Sequence, residues 1–509
     1  MAFDRVSKLL TGVTAILLLA AGAAFAQAPP PPPAPEPDTP VVPAPAPAPT
    51  QPQPPPLAGE PAPPSAGAQF PPPAFPQAPT LAPAPPSPIV PVGPPDVRPF
   101  ALRGFVRVEG EYNDNFFRTP NHRTADYRET LTPGLAARFL SGSNEANLSY
   151  SPSLVHSSVV QDDILLFHLF DANGTLGLTD RLTLRATEHF DQTDEPALAD
   201  PLNLQRTRRV VTTELFGASL RHAHDTWSIM PRYNFTLIDF STSGTTGGPT
   251  TAATLTDEHT EIHVLGLDGT LQALPRNVIA LGYEYTIAQF RLSPDFTGHL
   301  GRVSLTREVD PQMMASATAS FTHREPDGSA AFDIWRGDVG IRRDLRPRYL
   351  VEARVGYFAT DAVKGDDGTG IEYLAQGTYR GRWMTLIATS SRSLAETFAT
   401  TVNAGVVRQQ RSALEIRVEP APPLTVSLRG SHTESTFLQA GTFATTTGIT
   451  TTGGHRRDTT IEGSVEIAYK LSRALTLSLR YTRVELDSNV RIFNYVNNRV
   501  GAALTATFE

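Results

Sequence analysis

Paired carboxylates are the residues of this chain whose spacing best suits acid–base chemistry. Glu109 with Glu111, and Glu462 with Glu466, are separated by even numbers of residues, so each pair lies on one face of a β-strand. Two such groups can act as general acid and general base. Arginine or lysine shares or neighbours these faces, and charge balance explains the carboxylates equally well. The chain has no G-x-S-x-G, H-E-x-x-H or phosphate-binding glycine loop, so we expect no enzymatic activity and no cofactor.

Histidine and acidic residues offer two further kinds of candidate site. His222 and His224 share one strand face beside Asp225, which suits a two-histidine metal site or simply a solvated turn. Carboxylates in or beside loops suit calcium, although loop solubility accounts for them too. These are Glu258 and the pairs Asp162-Asp163 and Asp366-Asp367. We expect no bound metal.

Charged side chains recur on the polar faces of many segments. Charges spaced this way would be costly in a dry core, but they cost little when they face a water-filled lumen. There they would tune what passes a pore, or they would pair across the lumen for stability alone. The lumen-facing candidates are Arg107, Glu109, Arg185, Arg232, Glu284, Arg302, Arg336, Arg342, Arg354, Arg429, Glu462, Glu466, Arg480 and Arg499.

The elements that must position these residues are strands with one apolar and one polar face. In Leu475–Thr482, three leucines and Tyr481 alternate with Thr, Ser and Arg480. In Val496–Phe508 the same alternation runs to an aromatic residue close to the end. This period of two predicts β-strands, and it returns roughly every 20 residues from Phe105 onward. Aromatic residues near strand ends, such as Trp227 and Trp383, suit interfacial girdles or, alternatively, a platform on which sugars stack.

Short turns and longer polar loops alternate between these strands. The predicted short turns are Ser141–Asn144, Leu178–Arg181, Ala223–Thr226, Leu274–Asn277, Asp310–Gln312, Leu345–Arg348, Glu419–Pro423 and Leu471–Ala474. The predicted long loops are Asp114–Arg128, Ser158–Asp163, Gln192–Arg206, Ser241–Asp257, Leu292–Gly298, Glu325–Ala331, Asp361–Thr369, Leu438–Arg457 and Asp487–Tyr495. Tight hairpins at one end and long loops at the other are typical of outer-membrane barrels.

We therefore predict an all-β fold, a transmembrane antiparallel up-and-down β-barrel of about 20 strands, with about 18 as second choice. The strand count is least certain between Ile371 and Glu419. Turns at Arg380–Arg382 or at Arg392–Glu396 would each fit there, and Arg408–Ser412 suits a bend or a loop.

The composition and the N-terminal residues limit the classes of protein to which this chain can belong. The absence of cysteine excludes disulfides and thiolate chemistry, and a net charge of −8 argues against a nucleic-acid partner. Arginine far outnumbers lysine, which reflects genome composition or a lumen that favours anions. Residues 1–26 predict a signal peptide. Residues 27–99, with about two thirds of the 47 prolines, predict a disordered Pro/Ala-rich periplasmic linker before a barrel at 103–509.

Two motifs resemble the opening of the "Putative beta-barrel porin 2" family. The first is Glu111-Tyr112-Asn113-Asp114-Asn115-Phe116-Phe117-Arg118-Thr119, and the second is Thr130-Leu131-Thr132-Pro133-Gly134-Leu135. The resemblance covers the length and layout of residues 103–509. It implies a proteobacterial outer-membrane barrel of a type discussed with exopolysaccharide export, and it supplies no functional residues.

The expected function is passage of polar solutes or polysaccharide through the lumen. The alternative is a plugged barrel that anchors the proline-rich arm to peptidoglycan or to an export complex. Either way we expect the barrel among outer-membrane lipids of a Gram-negative bacterium, with the N-terminal arm in the periplasm.

Overall fold

The computed structural model describes most of the chain from residue 99 onward. The described residues are 99–121, 123–159, 164–194, 210–241, 258–291, 294–328, 330–345, 348–361, 368–396, 406–438, 442–445, 448–451 and 456–508. The predicted signal peptide and residues 27–98 of the predicted linker lie outside them, as do Asp162, Asp163, Asp366 and Asp367.

Twenty-two strands and one short 3-10 turn make up the described structure. The strands are β1 Phe100–Asn113, β2 Asp126–Ser141, β3 Asn144–Ser157, β4 Leu165–Gly177, β5 Leu182–Thr193, β6 Val210–Ala223, β7 Trp227–Ser241, β8 Glu258–Leu274, β9 Asn277–Phe290, β10 Phe296–Asp310, β11 Met313–Pro326, β12 Phe332–Leu345, β13 Tyr349–Thr360, β14 Thr369–Arg380, β15 Met384–Glu396, β16 Val406–Ala421, β17 Leu424–Phe437, β18 Thr442–Thr445, β19 Gly448–Thr451, β20 Arg457–Lys470, β21 Leu475–Ser488 and β22 Tyr495–Phe508. The 3-10 turn is Arg491–Phe493.

Twenty of these strands form one closed antiparallel sheet, and β18 pairs only with β19. Each of the twenty strands pairs with its neighbour in the chain, with β17 next to β20. The ring closes where β1 pairs with β22, Gly104 lying opposite Phe508 and Asn113 opposite Arg499. The predicted all-β, up-and-down barrel of about 20 strands is therefore confirmed.

The two faces of the sheet differ as the period of two requires. On β21, Leu477 and Tyr481 point to the same side as the exposed leucines, valines and tyrosines of the other strands. Arg480 and Thr482 point to the opposite side, where charged groups meet across strands. Large apolar side chains that stay exposed around a closed barrel form its lipid-facing surface. We call this the outer face and the polar side the inner face.

The two ends of the barrel differ as well. At one end, nine connections of two to four residues join the strands, and we call this end the short-turn rim. The longer connections lie at the opposite end, the long-loop rim. In the uncertain stretch, the turn lies between Arg380 and Met384, and Arg392–Glu396 belongs to β15. Arg408–Ser412 is neither a bend nor a loop, because it pairs regularly on both sides within β16.

Strand β1 begins at Phe100, three residues before the predicted start of the barrel at 103. Phe100 lies opposite Phe139 on β2, and the two rings pack with their centroids 4.9 Å apart. This aromatic pair extends the ladder to the short-turn rim. Among the described residues there is no helix long and apolar enough to span a membrane.

Candidate functional site: the inner wall of the barrel

All fourteen lumen-facing candidates occupy inner-face positions. Their strands place them by register, for example Arg107 opposite Thr505 and Arg354 opposite Gly340. They do not form one site. Most of them fall into separate ion-paired groups around the wall, and the groups differ in burial.

The largest ion-paired group spans four strands, β7 to β10. The Arg232 guanidinium lies 2.8 Å from the Asp268 carboxylate and 2.5 Å from that of Glu284. Arg302 approaches the same two carboxylates at 3.3 and 3.8 Å. Two arginines and two carboxylates thus neutralise each other in a nearly buried cluster, which favours a structural role over capture of a free ion.

Glycines on the intervening strands make these long-range pairs possible. Gly266 lies directly between Arg232 and Glu284, and Gly282 lies between Asp268 and Arg302. A Cβ atom added at Gly266 would come within 2.7 Å of the Arg232 side chain. The guanidinium therefore lies flat across a strand that has no side chain at that position. We call a glycine that an arginine side chain crosses in this way a glycine saddle.

Glycine saddles recur elsewhere on the inner wall. Gly298 lies beneath Arg324, and Gly340 lies beneath Arg354, each with an added Cβ predicted to clash with the arginine. Gly501 on β22 lies between Arg480 and Glu111. The pattern shows that long arginine side chains are seated along the wall and do not stand out into the lumen.

A second ion-paired group joins the two strands that close the barrel to their neighbour. Glu109 accepts from Arg107 at 2.7 Å and from Arg480 at 3.1 Å, and Arg480 also reaches Glu111 at 3.3 Å. Arg480 crosses β22 over Gly501 to do so. The carboxylate pair considered for acid–base chemistry is therefore held by arginines.

The remaining candidates vary in their partners. Arg354 pairs with Glu352 at 2.9 Å, and Arg429 pairs with Glu415 at 3.3 Å. Within the part of the chain that the structure describes, four candidates have no ion-pair partner within 4 Å: Arg185, Arg342, Glu462 and Glu466. Arg499 lies on β22 between Asn113 and Thr482. The unpaired four are the inner-face charges most available to a passing solute.

At the long-loop rim the β15–β16 hairpin bends over the inner wall. Pairing between β14 and β15 stops at Arg392, whereas β15 and β16 stay paired to Glu396 and Val406. The main chain of Leu394 donates to Glu372 and accepts from Arg336, both inner-face residues. We call Leu394–Glu396 with Val406 and Val407 the hairpin tip.

Two contacts hold the hairpin tip in place. Glu396 pairs with Arg324 on β11 at 2.8 Å, four strands away from β15. Leu394 and Val406 pack into a buried apolar cluster with inner-face residues of β9, β10, β12 and β13. Its other members are Ala288, Phe296, Phe332, Ile334, Phe358 and Leu438. The tip thus seals part of the lumen with apolar side chains.

A second buried cluster lies beside the first at the same rim. Val407 of the tip joins Phe437, Leu486, Phe493 and Tyr495. Arg456 is fully buried above it, 3.5 Å from the centre of the Phe493 ring, and is paired with Asp458. A buried guanidinium that stacks on two aromatic rings and meets one carboxylate is satisfied in a structural role. This end of the lumen is dry where these clusters lie.

Side-chain exposure differs between parts of the inner wall. Toward the short-turn rim, Arg429 and Glu415 are 43% and 41% exposed. Toward the long-loop rim, Arg324 and Glu396 are 14% and 15% exposed, and Arg456 is not exposed at all. Around Arg429 and Glu415 the inner wall is a wet, charged cup toward the short-turn end, whereas the two buried clusters form a packed layer at the long-loop rim.

The motif Asn113-Asp114-Asn115 clamps the seam between the first and last strands. Asn497, itself buried, donates to the side chain of Asn113 and to the carbonyl of Asn115 at 2.9 Å. Asp114 accepts from both the backbone and the side chain of Asn498 at 2.6 Å. These side-chain contacts reinforce the pairing of β1 with β22 at the long-loop rim.

The second motif has its own packing reason. Gly134 on β2 lies under the ring of Phe105, and an added Cβ would come within 2.3 Å of that ring. Phe105 is buried on the inner face as a result. A glycine covered by an aromatic ring on the adjacent strand is a known way of stabilising a sheet.

The candidate metal residues have other partners in the structure. His222 and His224 pack on Trp227, with ring centroids at 5.4 and 5.7 Å. Across the described ranges, no group of three or more histidine, aspartate or glutamate side chains is placed to hold a metal ion. Trp227 is exposed on the outer face, where aromatic girdles lie, and Trp383 is exposed in the short turn between β14 and β15.

Comparison with known proteins agrees with this architecture. Residues 288–508 match the family model "Putative beta-barrel porin 2". This part of the chain resembles the porin family in sequence, and the fold is a porin-like β-barrel. The match, from β9 to the closing strand, confirms the resemblance, although the two motifs that suggested it lie outside the matched residues.

Several solved structures are similar to this chain at low identity. A ferric enterobactin receptor of Pseudomonas aeruginosa is 12% identical, with a TM-score of 0.46, and the match covers 80% of this chain and 81% of the receptor. OccK3 of Pseudomonas aeruginosa is 12% identical at a TM-score of 0.38, covering 80% and 95%. The FrpB iron transporter of Neisseria meningitidis is 10% identical at 0.43, covering 80% and 82%. No curated protein matches the sequence.

Proposed function

We propose that the barrel is a channel for polar solutes or for the export of a polysaccharide. The observation that carries this proposal is the wet inner wall at the short-turn end, with exposed charges such as Arg429 and Glu415. A surface of this kind exchanges hydrogen bonds with water or sugar hydroxyls at little cost. Arg185, Arg342, Glu462 and Glu466 are the side chains we assign to contact with the solute.

The direction of access follows from the two rims. Outer-membrane barrels keep short turns in the periplasm and long loops outside. In that orientation the cup opens to the periplasm, and the packed layer with the hairpin tip faces outward. Cargo would enter from the periplasm and leave when the tip is displaced, which suits export better than uptake.

The N-terminal arm takes the periplasmic side in this arrangement, because β1 begins at Phe100 on the short-turn rim. Residues 27–98 would then reach from the barrel toward peptidoglycan or an export complex. We propose no catalytic role for the carboxylate pair Glu109 and Glu111, because arginines neutralise it.

Reconstitution of the full chain in planar bilayers tests the channel. We expect conductance steps, which a soluble polysaccharide blocks more strongly from the periplasmic side. Variants Arg342→Gln and Glu462→Gln should change ion selectivity in opposite directions. A folded protein that gives no steps at any voltage would overturn the channel.

A plugged barrel that serves as an anchor is the second candidate, and the packed layer favours it. The two buried clusters close part of the lumen with apolar side chains. Deletion of residues 27–98 separates the two functions. A channel keeps its conductance without the arm, whereas an anchor loses its envelope partner in pull-downs and conducts in neither form.

A further inference from the structure

Four of the nine short turns share a sequence pattern, a leucine followed two or three residues later by an arginine. They join β4 to β5, β8 to β9, β12 to β13 and β20 to β21. The pairs are Leu178 with Arg181, Leu274 with Arg276, Leu345 with Arg348, and Leu471 with Arg473. None of the other five short turns has a leucine in this position.

Each of these turns presents both residues to the surroundings. The leucines are 48%, 63%, 39% and 51% exposed in chain order, and all four arginines are exposed. The leucines continue the apolar outer face to its edge, next to exposed residues such as Leu176 and Tyr469. The guanidinium groups follow immediately beyond that edge, where the headgroups of a lipid leaflet lie.

Two of the turns, far apart in the chain, have the same backbone geometry. The N–H of Leu178 donates to the carbonyl of Leu182 at 2.8 Å, and that of Leu471 donates to Leu475 at 2.9 Å. In both turns the next residue is Thr or Ser, and its hydroxyl accepts from a backbone N–H two residues on. Its recurrence shows that the arrangement is a repeated feature of this rim.

The turn between β8 and β9 carries an arginine at a position whose backbone conformation disfavours one. Arg276 follows Pro275 in a two-residue turn and has a φ of 72°. That conformation favours glycine or asparagine and is strained for arginine. Strain of this kind points to a use for the side chain outside the fold.

The spacing of the turns identifies the partner. The first three occupy every second hairpin of the short-turn rim, and the fourth lies on the remaining arc. A protein partner would contact one side of the rim, whereas a lipid leaflet surrounds all of it. Guanidinium groups match phosphates by charge and by paired N–H donors. Arg181 also faces Asp225 at 3.9 Å, which leaves most of its donors available.

We propose that these leucine–arginine turns bind anionic phospholipid headgroups of the periplasmic leaflet. The leucine seats the turn in the acyl region, and the arginine holds a phosphate of phosphatidylglycerol. The proposal requires the barrel to lie in the outer membrane, but it does not depend on which solute passes the lumen.

Native mass spectrometry of the full chain, titrated with phosphatidylglycerol or phosphatidylcholine, tests this proposal. The test variant changes Arg181, Arg276, Arg348 and Arg473 to Gln. The matched control removes four exposed arginines from the long-loop rim and its connections, Arg123, Arg291, Arg457 and Arg491. We expect about fivefold weaker phosphatidylglycerol binding per site in the test variant alone, with phosphatidylcholine binding unchanged.

Equal losses in test and control, or an equal loss for both lipids, would overturn the proposal. Replacement of the same four residues by Lys should restore most of the binding, which separates charge from misfolding. Arg276→Gly gives a further check, because it should raise the unfolding temperature and still weaken phosphatidylglycerol binding. Conductance in planar bilayers should stay unchanged in all these variants, so this proposal can fail without affecting the channel.

Discussion

At the scale of the residue, the inner wall is organised by glycine and arginine together. A guanidinium that lies over a glycine reaches a carboxylate two strands away, as Arg232 does over Gly266. The arginine stem covers the bare backbone while its head stays hydrogen-bonded. The bare strand already restricts the arginine side chain, so forming the ion pair costs little additional side-chain entropy. Such a pair therefore stabilises the wall more than an exposed surface pair does.

Gly266→Ala should therefore destabilise the barrel by about 1–3 kcal/mol, because the new methyl group displaces the Arg232 side chain. The measurement is the midpoint of urea unfolding in lipid vesicles. Gly301→Ala is the control, since a Cβ atom at Gly301 meets no atom within 4 Å. Equal midpoints for the two variants would contradict the role of the saddle.

His323 predicts a pH dependence at the long-loop rim, beyond the outer apolar face of β11. Hydrogen bonds that the imidazole donates to Asp333 and then to Glu325 raise the pKa of His323 above its ordinary value. The stabilisation is complete below the ordinary pKa of about 6.5 and is lost as pH rises through the raised value. Amide protection factors at the ends of β11 and β12, corrected for the intrinsic pH dependence of exchange, should be larger at about pH 6 than at about pH 9.

The variant His323→Gln should abolish that difference. His432→Gln is the control, because its nearest carboxylate oxygen, on Glu434, lies 3.9 Å away. An unchanged pH difference in the His323 variant would show that other groups cause it.

At the scale of the element, the β15–β16 hairpin forms part of the barrel wall, and its tip also covers part of the lumen. Its lower part pairs with β14 and β17 in the barrel, and its tip lies over the inner wall. One ion pair, between Arg324 and Glu396, joins the tip to a strand outside the hairpin's own neighbourhood. Loss of that pair leaves two restraints: the apolar packing of Leu394 and Val406, and the main-chain hydrogen bonds of Leu394 with Glu372 and Arg336.

Glu396→Gln should raise the open probability of the channel. Removal of one charged partner weakens the contact by about 1–2 kcal/mol, which corresponds to roughly five- to thirtyfold more open time. Single-channel recording measures it. Glu325→Gln is the matched control, since Glu325 is 59% exposed and lies off the tip. A wild-type open time in the Glu396 variant would show that apolar packing alone closes the lumen.

At the scale of the whole molecule, closure depends on a seam between strands that are nearly 400 residues apart. Asn497 and Asn498 bond to Asn113, Asp114 and Asn115 at one end of that seam. Arg480 reaches Glu109 and Glu111 further along it. Backbone pairing between β1 and β22 would close the ring without them, but the side chains fix its register.

Asn497→Ala should lower the stability of the closed barrel by about 1–3 kcal/mol, because it removes the buried amide that donates to the Asn113 side chain and to the Asn115 carbonyl. The heat-induced shift between folded and unfolded bands on gels reports the change. Asn173→Ala, which removes an exposed amide contact with Asn147, should leave the shift unchanged. Hydrogen exchange should accelerate in β1 and β22 first.

The sequence sufficed to predict strands and turns, which depend on local residue patterns. It did not predict contacts between residues on strands that are distant in the chain. The alternation on β21 and the turn at Leu471–Ala474 are visible in a few residues. The glycine saddles are not, because Gly266 matters only through its neighbours on β7 and β9, which register alone decides. The contacts of the hairpin tip could not be predicted for the same reason, because Glu396 pairs with Arg324 four strands away.

The same limit applies to the candidate site. Alternation sufficed to assign Arg232 and Arg480 to the polar face, because side-chain direction follows from strand period. It could not tell that Arg232 is held in a nearly buried cluster while Arg342 has no ion-pair partner among the described residues. Burial and pairing arise from the closed ring, and no single strand encodes them.

The seam can form only in a chain that contains both β1 and β22. A product of interrupted translation that ends before β22 leaves two unpaired sheet edges, each a template for aggregation. The clasp formed by Asn113 and Asn497 cannot assemble in such a fragment. A copy without β22 would therefore expose sheet edges that the closed barrel does not have.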